Sequence, residues 1–438
     1  MSSNNWVIIK LGGTSQCKTG YNNIIKIIQE NKENKFIFVL SALSGITNLL
    51  EKFTQTKDFE LVSKVLEKNR EFLNTLQDNG YSNSFYEKFI EDCNQYKNNP
   101  DNDIYEQSKI IGYGEVLSTN ILYYYLNNFK DIGKIKLLDS YKFIKSKKET
   151  FKLYPLTEFY GNLNNFKEEY DDECRIYITQ GFIASTPSNK TILLGRGGSD
   201  TTGALISNML YAEKYIVYTD VDGIYTTDPR ICQEAKIIKE IDYNIVQELS
   251  AMGAKVMHPS SILPCCEKNI PIYIKNTFSN FYDEGTIIKK FSKGEQKVSA
   301  IALQKGVKLI RITSENMWNN YGFVYDIFRR FSERRIDVNI ISTSQFTIST
   351  TCEEKNMILI KDLIQDLEEK YTVELIQDCA IVSIVTNYIP EIYNTLNFFE
   401  INHYLLSIGA TNNSISFVID EKDSNEIVNK LHKKIVYL

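Results

Sequence analysis

Apolar positions along the chain follow two rhythms. Trp6-Val7-Ile8-Ile9-Lys10-Leu11 is a short, nearly continuous apolar run stopped by Gly12-Gly13, and it predicts a buried strand. Residues 35–41 read the same way and end in small side chains. Between them Ile24, Ile25, Ile27 and Ile28 recur at helical spacing, which predicts a helix over 21–31. Residues 59–129 carry long periodic segments with one break at Asn98-Asn99-Pro100, and predict helices. Strands are expected again at 136–139, 175–180, 191–194, 215–219 and 270–275, with helices over 201–212 and 243–252. Such alternation defines an α/β fold with a mainly parallel sheet sandwiched by helices. Ligands of such sheets sit beyond the carboxyl ends of the strands.

The rhythm changes after the polar stretch 289–298, which reads as a linker. Strand 307–313, helix 321–335, strands 338–342 and 346–350, helix 357–370 and strand 372–376 give the order βαββαβ. The same order recurs at 380–386, 391–399, 404–408, 415–419, 423–434 and a short last strand at 435–437. Six elements matching twice in order are an internal repeat of the split-βαβ, ferredoxin-like type.

Composition narrows the function. At roughly 150 residues per domain, a chain of 438 residues holds about three domains. Lys plus Arg number 50 against 55 for Asp plus Glu, a net charge of −5 that lacks the basic footprint of a nucleic-acid binder. No apolar run approaches the roughly 18 residues of a membrane helix, so no membrane partner is expected. The first residues show no basic segment followed by an apolar one, and the eight cysteines are scattered; both suit a reduced cytoplasmic setting. Three histidines leave little material for a metal centre, and none is expected.

Chemistry concentrates in loops after strands. Lys10-Leu11-Gly12-Gly13-Thr14-Ser15 couples a point charge to two glycines that let backbone N–H groups approach an anion. Gly195-Arg196-Gly197-Gly198-Ser199-Asp200 runs from a strand into a helix, where N-terminal amides and a planar guanidinium suit a carboxylate or a phosphate. In Thr219 to Arg230, the grouping of Asp220, Tyr225 and Arg230 beyond a strand suggests contacts to a base, ribose or polyphosphate. The aspartates there could alternatively hold a divalent cation, and Asp222-Gly223 could be a plain turn. Gly253-Ala254-Lys255-Val256-Met257-His258-Pro259 places Lys255 near a loop, with His258 read as structural. Gly112 and Gly114 are odd choices inside a helix unless something approaches closely; Glu115 beside them could receive a ligand ammonium.

Taken together these segments resemble the aspartate kinases of the amino-acid kinase family, over essentially the whole chain. Lys10 to Ser15 matches the family's opening Lys-Phe-Gly-Gly-Thr-Ser, with Leu11 in place of the aromatic. Ser41-Ala42-Leu43-Ser44-Gly45-Ile46-Thr47, Gln180-Gly181-Phe182-Ile183, Gly195 to Asp200, Thr219 to Arg230 and Gly253 to Pro259 match further loops in order. The C-terminal repeat resembles the paired ACT regulatory domains of the same enzymes. The resemblance implies a catalytic domain over 1–293 and ACT domains over 304–378 and 379–438.

It also implies transfer of the γ-phosphoryl of ATP to the side-chain carboxylate of aspartate, with Mg2+ carried on the phosphates. Lys10, with the backbone of Gly12 and Gly13, would stabilise the migrating phosphoryl, and Asp200 would orient lysines. Arg196 would meet the substrate α-carboxylate and Glu115 its α-ammonium. Ser41, Thr47, Gly197, Gly198 and Ser199 would complete that pocket. Thr219, Asp220, Tyr225, Asp228, Arg230, Lys255 and Val256 would hold the nucleotide. The layout is similar to lysine-sensitive, single-function members, which implies homodimers or homotetramers through the ACT domains. An amino-acid effector, with lysine the first choice, would lie near Met317, Asn320, Val324, Asn339, Thr343, Ser344 and Gln345. Asn339 and Gln345 stand where the related enzymes carry acids, and an amide holds an ammonium less well.

Two other readings fit less well. A kinase of glutamate or N-acetylglutamate would share the sheet, but the Glu115 and Arg196 pair reads a free amino acid. A silent amino-acid sensor would not need Lys10, Asp200 and Lys255 together.

Overall fold

The computed structural model describes residues 5–76, 84–155, 157–254, 257–280, 282–292, 299–317, 321–353, 355–395, 401–408 and 413–435. The chain forms two compact units. The first comprises Met1–Ile224, Ile237–Tyr243 and Val256–Lys290; the second comprises Tyr225–Lys236, Asn244–Lys255 and Phe291–Leu438.

The chain starts with β1 (Trp6–Leu11), α1 (Lys18–Glu30), β2 (Lys35–Leu40) and α2 (Ile46–Thr56). The long periodic stretch resolves into α3 (Phe59–Leu76), α4 (Ser84–Asn98) and α5 (Ile104–Asn127). Next come β3 (Ile135–Leu138), α6 (Ser140–Phe143), β4 (Ile144–Ser146), β5 (Phe159–Gly161) and α7 (Leu163–Glu169). They are followed by β6 (Ile176–Gln180), β7 (Ile183–Ser185), β8 (Thr191–Leu193), α8 (Gly198–Leu210) and β9 (Lys214–Thr219). Then come β10 (Glu240–Asp242), α9 (Tyr243–Ala251), α10 (Leu263–Lys268), β11 (Ile272–Asn276) and β12 (Thr286–Lys289).

Eight of these strands form one sheet in the order β10-β12-β11-β9-β1-β2-β6-β3. It is parallel except where β11 meets β12. β1 is central and buried along its whole length, as expected of a strand covered on both faces. Val7, Ile9 and Leu11 enter a core with Tyr21, Ile24 and Ile28 of α1 and Ile111, Leu117 and Ile121 of α5. Lys10 points to the opposite face from those side chains, because neighbours in a strand alternate. α5 is fixed at its start by a capping box, in which the Asp103 side chain accepts from the N–H of Glu106 and Glu106 returns a bond to the Asp103 N–H.

The structure departs from expectation in three ways here. β8 belongs to a second, four-stranded sheet of order β5-β4-β7-β8 and pairs antiparallel with β7, so it lies outside the main parallel sheet. β10 and β12 are short strands that periodicity did not show. Lys289, expected to open a linker, ends β12.

The second unit carries β13 (Ser299–Thr313), α11 (Phe323–Glu333), β14 (Ile341–Thr343), β15 (Thr347–Cys352), α12 (Met357–Glu368) and β16 (Thr372–Thr386). After them come α13 (Ile389–Thr395), β17 (Leu405–Ile408), β18 (Ser414–Asp420) and α14 (Ser424–Ile435). All six strands share one sheet in the order β14-β15-β13-β16-β18-β17. The order βαββαβ is present in the first copy and βαββα in the second among the described residues, and the copies are joined by two 15-residue strands, β13 and β16, that run antiparallel through both. Strands expected separately at 372–376 and 380–386 are one, and the proposed boundary between 378 and 379 falls inside it. Ser299–Gln304, not expected as strand, pairs with Ile381–Thr386 and serves the second copy. Ile435, expected to open a last strand, ends α14; residues 436 and 437 lie outside the described residues. Among the described residues no helix is long and apolar enough to cross a membrane.

Candidate active site and effector site

The site in the first unit starts from the two sides of β1. Lys10 Nζ lies 2.7 Å from Asp200 Oδ1 in the first turn of α8. Both side chains are largely shielded from water, where an ion pair is screened less than at a surface. Asp200 is placed by the glycine loop before it. Gly197, the N-cap residue, sits at φ 70°, and a Cβ there would come 2.4 Å from the Cβ of His258. Only glycine fits that backbone and that neighbour.

The second ionisable group comes from α5. Gly112 and Gly114 do not break the helix. A Cβ on Gly114 would come 2.7 Å from the Cβ of Ala42, so glycine lets α5 approach the loop after β2. The Ala42 N–H then donates to Glu115 Oε1 at 3.0 Å. Glu115 is 3% exposed, and its Oε2 has no hydrogen-bond partner among the described residues. Burial pushes its carboxyl up to about 8, with the Ala42 N–H pulling the other way.

The ion pair and this carboxyl face one cavity of about 250 Å³. Its wall includes Lys10, Ser41, Thr47, Glu115, Ser199 and Asp200, together with Ala42, Phe182, Gly195, Gly197 and Gly198. The structure thus gathers eight of the residues singled out for catalysis and substrate. Three others are not in the wall. Gly12 has its N–H committed to the Tyr218 carbonyl at 3.2 Å, and Gly13 lies beside it in the turn closed by the Ser15 N–H on the Gly12 carbonyl. Arg196 is exposed, near enough to His258 for its charge to help hold that imidazole below its usual range, after burial. His258 itself accepts from the Ser260 N–H and caps a short 3-10 turn, the structural part expected of it.

Phe182 had no expected role, and the structure places it in the wall of the cavity. It holds φ 67°, unusual for a bulky side chain, with its N–H on Thr202 Oγ1 and its carbonyl accepting from Leu194. The one cue in the chain was Gly181 before it. A Cβ at Gly181 would come 2.5 Å from the Cβ of Ser199, so that glycine lets the loop close on α8.

The expected nucleotide residues are spread over both units. Thr219 and Asp220 stand at the carboxyl end of β9, with Thr219 Oγ1 donating to Asp220 Oδ1 at 3.2 Å. The Thr219 carbonyl accepts from the Thr277 N–H at 2.9 Å, which joins the loop to the end of β11. Asp222 is engaged too, accepting from Asn276 Nδ2 at 2.7 Å and Ser279 Oγ at 2.5 Å. In the second unit Arg230 forks onto Asp228, with Nη2 2.7 Å from Oδ2. Tyr225 leads into Thr226, whose hydroxyl meets His432 Nε2 of α14 at 2.8 Å and whose carbonyl accepts from Ile301 of β13. Lys255 and Val256 lie outside the described residues. Among the described residues no three of His, Cys, Asp or Glu are grouped to hold a metal ion.

A second cavity, of about 660 Å³, lies in the second unit. Of the effector residues expected there, Met317, Val324, Thr343, Ser344 and Gln345 line it, joined by Tyr321, Gly322, Phe323, Tyr325 and Ile348. Asn320 lies outside the described residues. Asn339 is not in the wall; its Nδ2 donates to Glu353 Oε1 at 3.1 Å. No charged side chain stands in this wall among the described residues.

A parallel sheet with its charges at the strand ends, a glycine loop opening a helix and a buried carboxylate describe a small-molecule kinase. The amino acid kinase family model matches residues 5–276, and the chain belongs to that family. Lysine-sensitive aspartokinase 3 of Escherichia coli is 27% identical over 452 aligned residues, 98% of this chain and 99% of that protein. The crystal structure of E. coli aspartokinase III with lysine and aspartate, in the T-state, superposes with a TM-score of 0.81 at 26% identity, covering 98% of this chain and 99% of that one. The same enzyme with aspartate and ADP, in the R-state, gives 0.79 at 25% identity over the same shares. The architecture is an amino acid kinase fold followed by ACT-type regulatory domains.

Proposed function

We propose that this protein is an aspartate kinase, transferring the γ-phosphoryl of ATP to the side-chain carboxylate of L-aspartate to give 4-phospho-L-aspartate. The observation that carries the reading is one small cavity walled by the Lys10–Asp200 pair on one hand and buried Glu115 on the other. The likeness to aspartokinases over nearly the whole chain supports it.

A carboxylate oxygen of aspartate forms the new bond to the γ-phosphorus as the bond to the bridging oxygen of ADP breaks. An ionised carboxylate is already a nucleophile, so no general base is needed. The demand is electrostatic, since two anions meet and charge spreads over the phosphoryl oxygens. Lys10 supplies positive charge where it develops, and Asp200 holds that ammonium in place. Glu115 takes the α-ammonium, which favours its ionised form against the push of burial. Arg196, exposed beside the cavity wall, is proposed to meet the α-carboxylate, while Ser41, Thr47, Gly197, Gly198 and Ser199 shape the rest. Thr219, Asp220, Tyr225, Asp228, Arg230, Lys255 and Val256 serve the nucleotide. Mg2+ carried on the phosphates would neutralise part of their charge; Asp222 and Asp228 are already engaged by Asn276, Ser279 and Arg230, which argues against a cage built from protein alone.

Regulation follows from the second cavity. Lysine is the proposed feedback effector there, bound more weakly than where an acid meets an effector ammonium. Residues 1–293 are the proposed catalytic domain, with 304–378 and 379–438 the two ACT domains, assembled as a cytoplasmic homodimer or homotetramer. The product would be the first intermediate toward lysine, threonine and methionine.

The test is ADP release dependent on L-aspartate, with the acyl phosphate trapped by hydroxylamine. Aspartate-dependent turnover with hydroxamate formation supports the reading; ADP release that ignores aspartate refutes it.

A further inference from the structure

The connection from β4 to β5 is longer than pairing needs. Those strands are antiparallel neighbours, and hairpin loops usually take about 2–5 residues. Here the chain runs from Lys147 to Glu158, and its root is tied by the Lys147 N–H on the Glu158 carbonyl at 2.8 Å. Its outward arm is anchored to α5 by Tyr105, whose hydroxyl donates to the Thr150 carbonyl at 2.8 Å. Pro155 then restricts the residue before it to extended backbone. That residue is Tyr154.

Tyr154 meets three parts of the substrate cavity's surroundings. Its ring packs on Phe182, with centroids 6.2 Å apart. A Cβ on Gly195 would lie 3.8 Å from its Cβ. Its hydroxyl donates to Glu51 Oε1 on α2, one turn beyond Thr47. Phe182, Gly195 and Thr47 all stand in the cavity wall, and they come from three separate segments. Burial and the neighbouring Glu51 and Glu115 carboxylates hold the phenol above its usual range, so it stays a donor.

We infer that Tyr154 is a positioning residue for the amino-acid substrate. Its ring and its bond to Glu51 strap the β4–β5 connection to α2, and so hold the Phe182 and Thr47 walls at a fixed separation. Tyr154 is absent from the cavity wall, so its effect passes through those neighbours. The strap lies on the amino-acid side, and so its loss affects one substrate more than the other. This rests on reading the cavity as the aspartate pocket.

The experiment is steady-state kinetics of the full chain with Tyr154→Phe, Glu51→Ala and the double variant. Tyr154→Phe keeps the ring and removes only the hydroxyl. The expected result is a KM for aspartate raised about three- to tenfold, the range one hydrogen bond supports, with KM for ATP and kcat within about twofold of the parent. The double variant should add little to either single one, since both break the same link. An unchanged aspartate KM in both single variants, or an equal rise in both substrates' KM, overturns the strap. An unmodified chain with no aspartate-dependent turnover overturns the reading of the pocket and the strap with it. These failures are distinct, because one shows in the variants and the other in the parent.

Discussion

The two cavities differ in their charge. The one in the first unit is small and carries Lys10, Asp200 and Glu115 in its wall. The one in the second unit is larger and is walled by apolar side chains, hydroxyls and one amide. Charge held out of water is costly unless it is paired or used, so a wall with three ionisable groups marks the place where charge must be met during a reaction. A wall without them suits a ligand recognised by shape and hydrogen bonds, whose binding shifts a population and leaves the ligand unchanged.

The sharpest test of this contrast is Lys10→Ala. Turnover should fall by about 100- to 1,000-fold, as when a single group stabilising a developing anion is removed, while calorimetry shows a folded protein. Near-normal turnover would strip the first cavity of its electrostatic role.

Next in size is Glu115→Gln, which keeps the shape and removes the charge. The aspartate KM should rise about 10- to 100-fold, since hydrogen bonds to charged groups contribute about 1.5–3 kcal/mol.

The same carboxyl predicts a pH profile. In the free enzyme Glu115 is held up to about 8 by burial, so it is protonated below that pH and cannot pair with an ammonium. The kcat/KM for aspartate should therefore drop about tenfold per pH unit below the bend, and Glu115→Gln should lack the bend.

For the second cavity, the comparison is sharpened by adding the missing charge. Gln345→Glu should tighten lysine inhibition about threefold to tenfold, with basal turnover unchanged, as read from dose–response curves.

The smallest effect concerns the ligand-free protein. The folded carboxyl of Glu115 lies above its ordinary value of 4.5, so the stability it contributes is present below that value and is lost as pH climbs toward about 8. Thermal midpoints across that window should decline less in Glu115→Gln than in the parent.

Much of this was legible in order along the chain. The apolar runs at 6–11 and 35–41, the glycines after them and the doubled βαββαβ pattern need only local rhythm to be seen. Glu115 was legible because two glycines sat beside it in a helix, an arrangement with no local benefit. Phe182 was not, because a bulky residue at positive φ is held by partners such as Thr202 and Leu194, which come from other segments of the chain. That Arg196 stands exposed beside the cavity wall was not legible either, since a long side chain's direction is set by its surroundings and not by its loop. The first part of β13, and the continuity of β16 across its two expected strands, were missed for a related reason. Ser299–Gln304 becomes strand by pairing with Ile381–Thr386, some eighty residues on.

The residue pattern was therefore enough to specify the class of fold, the loops bearing chemistry and the kind of chemistry, because strand period, glycine placement and side-chain type are properties of short stretches. Folding in three dimensions decided which loops meet, that Lys10 pairs with Asp200, that Glu115 is buried, and that the repeats share a sheet. Those outcomes depend on desolvation and on contacts between distant segments, and neither exists until the chain has closed on itself.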